Sequence, residues 1–226
     1  MTHSTLWAVK GLIVVFVCIA LSACAVPRAW QYPPAPPGAL LQIKSPRQIP
    51  VRVAVLPMQD QRGQTASKYS WLAAIPFVPY GVSTYDRPDA EKDPWNTPLI
   101  KMNPSNDIAR AFADELQHAG VFSAVTFAEK SDPGSADLLL SGALKTTGWR
   151  RAITTYMLGP VGPILWILGA PIGNATNTVA MEWRLAPAND PSRTLWRFSM
   201  EYEDEHLIGI YYGMEESVEN YANAVQ

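Results

Sequence analysis

Cysteine is scarce in this chain of 226 residues: there are two, Cys18 and Cys24, both near the start. Beyond Cys24 a disulfide framework and a cysteine-ligated metal are therefore excluded. Histidine is almost as rare. After Cys24 only His118 and His206 remain, and neither sits in an HxxxH or CxxC spacing, so nothing points to a zinc site. Charged residues make up 17% of the chain, with a net charge of −2 and no basic run, which removes the electrostatic footprint of a nucleic-acid binder. Phosphate loops are missing too. The "GPVGP" at 159–163 lacks a following Gly-Lys-Ser/Thr, and its prolines delete the amides that would cradle an anion. Ser141, in "LLSGA", lacks the GxSxG elbow of a serine hydrolase. No residue is assigned a catalytic, cofactor-binding or metal-binding role.

What the chain does have begins at its N-terminus. Residues 1–10 are polar with one basic side chain, Lys10, and residues 11–20 are almost wholly apolar. A spanning helix needs about 20 apolar residues. A run half that long fits the core of a signal peptide. It ends in "LSAC", which resembles the lipobox of bacterial lipoproteins at every position. The resemblance implies cleavage after residue 23 and a diacylglycerol thioether, with further acylation, on Cys24. Each buried methylene contributes about 0.8 kcal/mol, so two or more acyl chains give a stable anchor where one does not. Ala25 follows the cysteine. In the sorting pattern of enteric bacteria, the lack of an aspartate there directs the protein to the outer membrane, on its periplasmic face.

Lys10 is the only charged side chain ahead of Cys24, so cleavage moves the net charge to near −3. Residues 24–50 carry seven prolines, which forbid a helix and favour an extended shape. Fully extended they reach roughly 80 Å at about 3.1 Å per residue. They read as a tether, the second half equally suited to a strap packed on the domain.

The folded domain is expected over 51–226. "VRVAVLP" at 51–57 is short, β-branched and apolar, as a buried strand is. Residues 58–103 hold five prolines and read as a loop-like insert that contains the apolar, uncharged "WLAAIPFVPYGV". "NPSNDIARAFADELQHAG" predicts a helix capped by Ser105 or Asn106, with Ile108, Phe112 and Leu116 on one face and Gly120 as its stop. "VFSAVTF" and "ADLLLSGALKTTGW" predict two strands. Val179, Met181, Trp183 and Leu185 alternate with polar residues, and so do Trp196, Phe198, Met200 and Tyr202. Period two on both sides of the turn "APANDPSR" predicts an antiparallel hairpin with one buried face. Residues 215–225 predict a closing helix. The fold class is α/β (α+β): a mixed sheet of about five strands with two helices packed on it, and inserts at 58–103 and 152–177.

The run "VAVLPMQD", a helix, "AGVFSAVTF" and "ADLLLSGAL" resembles the α/β domain of envelope lipoproteins of the TolB-N-like group, which includes the curli-secretion channel lipoprotein. The resemblance covers about 51–144 without the insert. It implies a mixed sheet with packed helices and a binding or assembly role at the envelope, without catalysis. The pore of the curli relatives is not carried over, because the strands flanking 152–177 lack the alternation over about nine to eleven residues that a lipid-facing hairpin requires.

Residues 152–181 form a 30-residue stretch without a charge, centred on "YMLGPVGPILWILGAPIG". Pro160, Pro163 and Pro171 rule out a spanning helix. Three readings stay open: an apolar cap on the domain's own core, a surface for a protein partner or a second copy, or a segment dipping into the bilayer surface. Tyr156, Pro163, Ile164, Leu165, Trp166, Ile167 and Leu168 are the candidate contact residues. In the acidic run 201–205, Glu201 and Glu203 share a strand face, which reads first as a solvated face.

The expectation is thus an outer-membrane lipoprotein, held to the membrane by its lipid anchor, with a non-enzymatic binding or assembly role. Its partner would be another envelope protein or a second copy, without nucleic acid or cofactor. The alternatives are a periplasmic hydrolase or carbohydrate-acting enzyme and an oligomeric secretion-pore subunit. The lipobox generates a direct test: a palmitate analogue fed to cells should label the wild-type protein and leave Cys24→Ala unlabelled. Equal labelling of the two would remove the reading of "LSAC".

Overall fold

The computed structural model describes residues 28–30, 32, 40, 42–92, 99–129, 135–213, 221 and 224–225. The chain is mixed α/β. Among the described residues ten strands are seen: β1 (Arg28–Ala29), β2 (Ile49–Val55), β3 (Gln59–Asp60), β4 (Ala66–Lys68), β5 (Gly81–Tyr85), β6 (Ile100–Lys101), β7 (Phe122–Phe127), β8 (Leu138–Ile153), β9 (Gly173–Pro187) and β10 (Trp196–Ile208). Among the described residues its α-helices are α1 (Pro104–Ala119) and the short α2 (Pro163–Ile167).

Eight strands make one sheet, in the order β10-β9-β8-β2-β7, with β3 and β5 also paired to β8 and β4 paired to β5. The sheet is larger than the five strands expected, because the segment read as a loop supplies β3, β4 and β5. Their short, largely polar sequences, "QD", "ASK" and "GVSTY", show no apolar alternation. β3 and β5 pair because β8 offers them an open edge, and β4 pairs on β5. Along one edge β8 meets β9 over its whole length. Along the other it meets β2 at Leu138–Leu140, β3 at Ala143–Leu144 and β5 at Trp149–Ile153.

β8 and β9 are 16 and 15 residues long, and burial alternates along both. The expectation that these strands lack the apolar alternation of a lipid-facing hairpin concerned residue type; the alternation seen here is one of burial. The signal was hidden because the buried positions at that end are small or polar: Ala175, Asn177 and Thr147 are as buried as Val179 and Trp183.

α1 lies on one face of the sheet. Asn103, not Ser105 or Asn106, is its N-cap: the Asn103 side chain accepts from Asn106 N–H and Pro104 takes the first helical turn, where a missing N–H costs nothing. Gly120 closes the helix in the left-handed conformation, φ 68°. Ile108 and Ala111 are buried, and Phe112 stacks on Trp183 with ring centroids 4.5 Å apart. Below them lie Val53, Val55, Leu140, Leu144, Val179 and Met181, a single core between helix and sheet. The opposite face is polar, with Glu182, Arg184 and Arg197 along β9 and β10.

The apolar face of β10 departs from expectation. Met200 and Tyr202 are half-buried against the core, but Trp196 and Phe198 remain exposed and stack on each other at 5.7 Å. α1 reaches Trp183, and among the described residues nothing covers the start of the outer strand. The expected closing helix at 215–225 lies outside the described residues apart from Tyr221, Ala224 and Val225, which are buried in the core.

The described residues of the Pro-rich segment lie on the domain. β1 pairs parallel with β6, the Tyr32 hydroxyl donates to Glu115, and Ser45 N–H donates to the Ala119 carbonyl at 2.8 Å. This portion runs as a strap along α1.

A buried ion cluster pins residues 60–89 to β8. The Arg62 guanidinium is bonded to Asp60 at 2.9 Å, to the Thr147 hydroxyl at 2.6 Å, and to both Asp89 oxygens. Arg87 adds a second cation 3.4 Å from Asp60. Removing one member of a buried pair strands the rest. Hydrogen bonding to Arg62 holds the Asp60 carboxyl below its ordinary value of 3.8, and the Arg62 and Arg87 charges reinforce it. A depressed folded value stabilises the protein fully above 3.8, and that contribution fades as pH falls through the folded value. Arg62→Met should therefore lower stability by about 3–5 kcal/mol at neutral pH. It should also flatten the acid limb of the stability profile below a pH of about 4. An acid limb identical to wild type in urea titrations would contradict this role.

Candidate functional site

The most unusual surface lies where β8 ends and β9 begins. Three stretches without a formal charge converge there: residues 69–85, 152–181 and 207–213. Each follows from its place in the sheet. The first is the approach to β5 and β5 itself, the second joins β8 to β9, and the third continues from the end of β10. Because β5, β9 and β10 are all in register with the last part of β8 or the first part of β9, the three stretches share one end of the sheet, here termed the tip.

Polar atoms bind the tip together internally. Phe77 N–H donates to the Met157 carbonyl at 3.0 Å, and the Thr155 hydroxyl donates to the buried Ala73 carbonyl. Tyr211 O–H reaches the Ile167 carbonyl at 2.9 Å and Tyr212 O–H the Gly169 carbonyl at 3.4 Å. Tyr156 O–H donates to the Pro171 carbonyl at 2.7 Å, and Trp166 Nε1–H to the Thr154 carbonyl at 2.9 Å. Four aromatic donors thus satisfy carbonyls of a segment that forms little regular structure of its own. Burial pushes the Tyr156 hydroxyl pKa up, and the nearby Tyr212 and Tyr80 add to the shift.

Apolar side chains point outward. Phe77 is 85% exposed, Leu168 76%, Tyr211 67% and Trp71 62%. Ile164 and Ile167 are exposed as well, and α2 buries none of its residues. Of the other sequence-read candidates, Tyr156 is exposed while Pro163, Leu165 and Trp166 are half-buried. Around 163–168 this exposure speaks against a cap on the core: Pro160 and Pro163 turn the chain, and α2 buries none of its residues. The ends of the stretch are instead strand, up to Ile153 and from Gly173.

Backbone strain gathers at the same place. Phe77, Tyr156 and Met157 have φ of 66°, 58° and 64°, and no other described non-glycine residue has positive φ. Such a conformation costs on the order of 1–3 kcal/mol for a bulky residue and persists where surroundings over-determine it. Gly159, at φ 56°, is required by contact: a Cβ there would lie 2.9 Å from the Ala74 carbonyl oxygen. These turns lock 74–77 against 155–159.

The described residues of the tip include no Asp, Glu, His, Lys, Arg or Cys; its exposed apolar side chains suit an apolar contact from which water is excluded. Elsewhere, His206 Nδ1 lies 3.5 Å from Asp204 on β10, whereas His118 is in the last turn of α1. The Ser141 hydroxyl donates to the Arg184 carbonyl at 3.5 Å, inside the ladder. Glu201 and Glu203 are both exposed. Among the described residues no three His, Cys, Asp or Glu side chains converge, and no helix is long and apolar enough to cross a membrane. Cys24 lies outside the described residues.

Sequence reasoning noticed 71–82 and 152–181 separately and missed 207–212. "LIGIYYG" looks like the fraying end of a strand. The available signal was that all three uncharged, aromatic-bearing stretches abut strand ends.

No family model and no curated protein sequence matches this chain. Among solved structures it is similar to protein XCC0632 from Xanthomonas campestris, of the DUF330 family, at 9% identity and a TM-score of 0.41, over 89% of this chain and 88% of that one. It is also similar to an uncharacterized protein at 11% identity and a TM-score of 0.37, over 88% of this chain and 92% of that one.

The exposure of the tip makes a stability prediction. Ile164→Ser combined with Leu168→Ser should shift unfolding free energy by no more than about 0.5 kcal/mol per site, as for surface changes. A core cap would lose about 2–5 kcal/mol for each. Thermal denaturation of the double variant separates the two, and a large drop in Tm would return the segment to the core.

Proposed function

We propose that this chain is a lipoprotein of the bacterial outer membrane, anchored through Cys24. Its non-enzymatic work is binding or assembly at the envelope, carried out by the uncharged tip. The observation that carries this reading is the convergence of three uncharged segments into one exposed apolar surface. Soluble monomers rarely leave so continuous an apolar patch without something to cover it. The "LSAC" sequence supports the anchor. The exposed residues Tyr156, Ile164, Ile167 and Leu168 are the contact groups, and the half-buried Pro163, Leu165 and Trp166 shape the surface beneath them.

The hydrolase alternative would draw on the acidic face of β10. Its carboxylates are spread along the strand: Glu205 is bonded to Asn174, Glu201 and Glu203 face solvent, and the neighbouring Glu182 on β9 is paired with Arg197 at 2.6 Å. The oligomeric alternative has a specific observation in its favour. β10 is a 13-residue edge strand, bonded on one side to β9 and, among the described residues, to no strand on the other. Such an edge is a template for another chain.

Cell fractionation and gentle detergent extraction test the proposal together. The wild-type protein should separate with outer membranes, and Cys24→Ala should leave that fraction. Recovery of the wild type mainly in the inner membrane or the soluble periplasm would overturn it. Extraction as a fixed multimer that Phe198→Lys dissociates would favour the oligomeric alternative.

A further inference from the structure

We propose that the tip enters the interface of a lipid bilayer, the same membrane that holds the acyl chains on Cys24. The proposal rests on the anchored reading above and names what covers the tip.

Three observations favour lipid over a protein partner. The first is the absence of charge. All three segments are free of formal charge, so placing them in a medium of low dielectric carries no ionic desolvation cost. A protein-facing patch ordinarily has a polar rim and direct hydrogen bonds to its partner.

The second is where the polar atoms point. The hydroxyls of Tyr156, Tyr211 and Tyr212 and the indole N–H of Trp166 are spent on carbonyls of the tip itself. Irregular backbone is tolerated beside hydrocarbon only when its polar groups are satisfied from within the protein. The same arrangement leaves little for a protein partner to bond. What faces outward is Phe77, Leu168 and Trp71, and the strained backbone at Phe77 and Tyr156 holds those turns in place. Aromatic rings of this kind suit the boundary between headgroups and acyl chains.

The third is where the anchor joins the fold. Leu99, just before β6, packs beside Trp149 and Ile208 near the tip. The Ser105 carbonyl, in the first turn of α1 four residues beyond β6, accepts from Met58 N–H, and Met58 lies against Gly142 in the body of the sheet. β6 therefore runs away from the tip. β1 is parallel to β6, so Arg28 is the tipward residue of β1. Cys24 precedes Arg28 by four residues, a span of at most roughly 14 Å. That short span lets a lipid on Cys24 and the tip reach one membrane together, the two signals that stable peripheral attachment needs.

The test uses the full-length product after purification in detergent and return to phosphatidylethanolamine and phosphatidylglycerol vesicles. An environment-sensitive fluorophore is placed on Leu168→Cys and, as a control, on Ser192→Cys in the turn between β9 and β10. A nitroxide on the lipid acyl chain serves as quencher. The label at 168 should be quenched several-fold more than the label at 192, and added salt should change it little, because the three segments of the tip carry no charge. An insertion of roughly 5–10 Å, typical of interfacial segments, brings the residue within reach of the nitroxide. Equal quenching at the two positions overturns the proposal. So does a signal at 168 that grows with protein-to-lipid ratio and ignores the nitroxide, the behaviour expected if a second copy covers the tip. Phe77→Cys provides an independent position should Leu168→Cys fold poorly. The mass of the N-terminal peptide reads acylation separately. Acylation with equal quenching removes the tip proposal and keeps the anchor, whereas selective quenching at 168 without acylation does the reverse.

Discussion

The ladder between β8 and β9 is the constraint on which the rest depends. It runs from Leu138 opposite Pro187 to Ile153 opposite Gly173, almost without interruption. The one irregularity, between Leu144 and Thr146, lies where the other edge of β8 passes from β3 toward β5. An extra residue there lets the strand twist while its buried face stays in phase. Gly142 shows how tightly the ladder is packed: a Cβ would come within 2.9 Å of the Trp183 ring and the Met58 methyl. Because the strand is bonded along both edges, it can hold a non-repetitive loop rigidly at its far end.

That rigidity makes the tip a defined object. Arg62, inserted between Asp60, Asp89 and Thr147, ties the irregular chain before β4 to the middle of β8. β5 then returns to the end of β8 and brings 69–80 beside 154–172. Three bulky residues with positive φ and four aromatic donors turned onto carbonyls complete the surface. Each device alone is ordinary. Together they describe a loop cluster whose backbone is satisfied from within and whose side chains are not.

Much of the frame was legible in the sequence, because large apolar residues wrote it. Val53 and Val55, the Ile108–Phe112–Leu116 stripe of α1 and the Val179–Met181–Trp183 face of β9 all fall where alternation or helical spacing placed them. The rest was hidden for identifiable reasons. β5 buries Gly81 and Ser83, and the start of β9 buries Ala175 and Asn177. Positions chosen for close backbone approach or polar pairing leave no apolar signature. Trp196 and Phe198 read as core but lie beyond the reach of α1. The candidate site was visible as a lack of charge in 152–181. Its joining to 69–80 and 207–212 could not be read, because register along β8 decides it.

The central claim is that lipid covers the tip, and it can be examined in cells. A photo-reactive amino acid placed at position 168, where the side chain is exposed, reports directly on what touches it. Irradiation of living cells should add the mass of a phospholipid to the protein, and the same group at position 192 should not. A discrete protein adduct at 168, with no lipid adduct, would contradict the account.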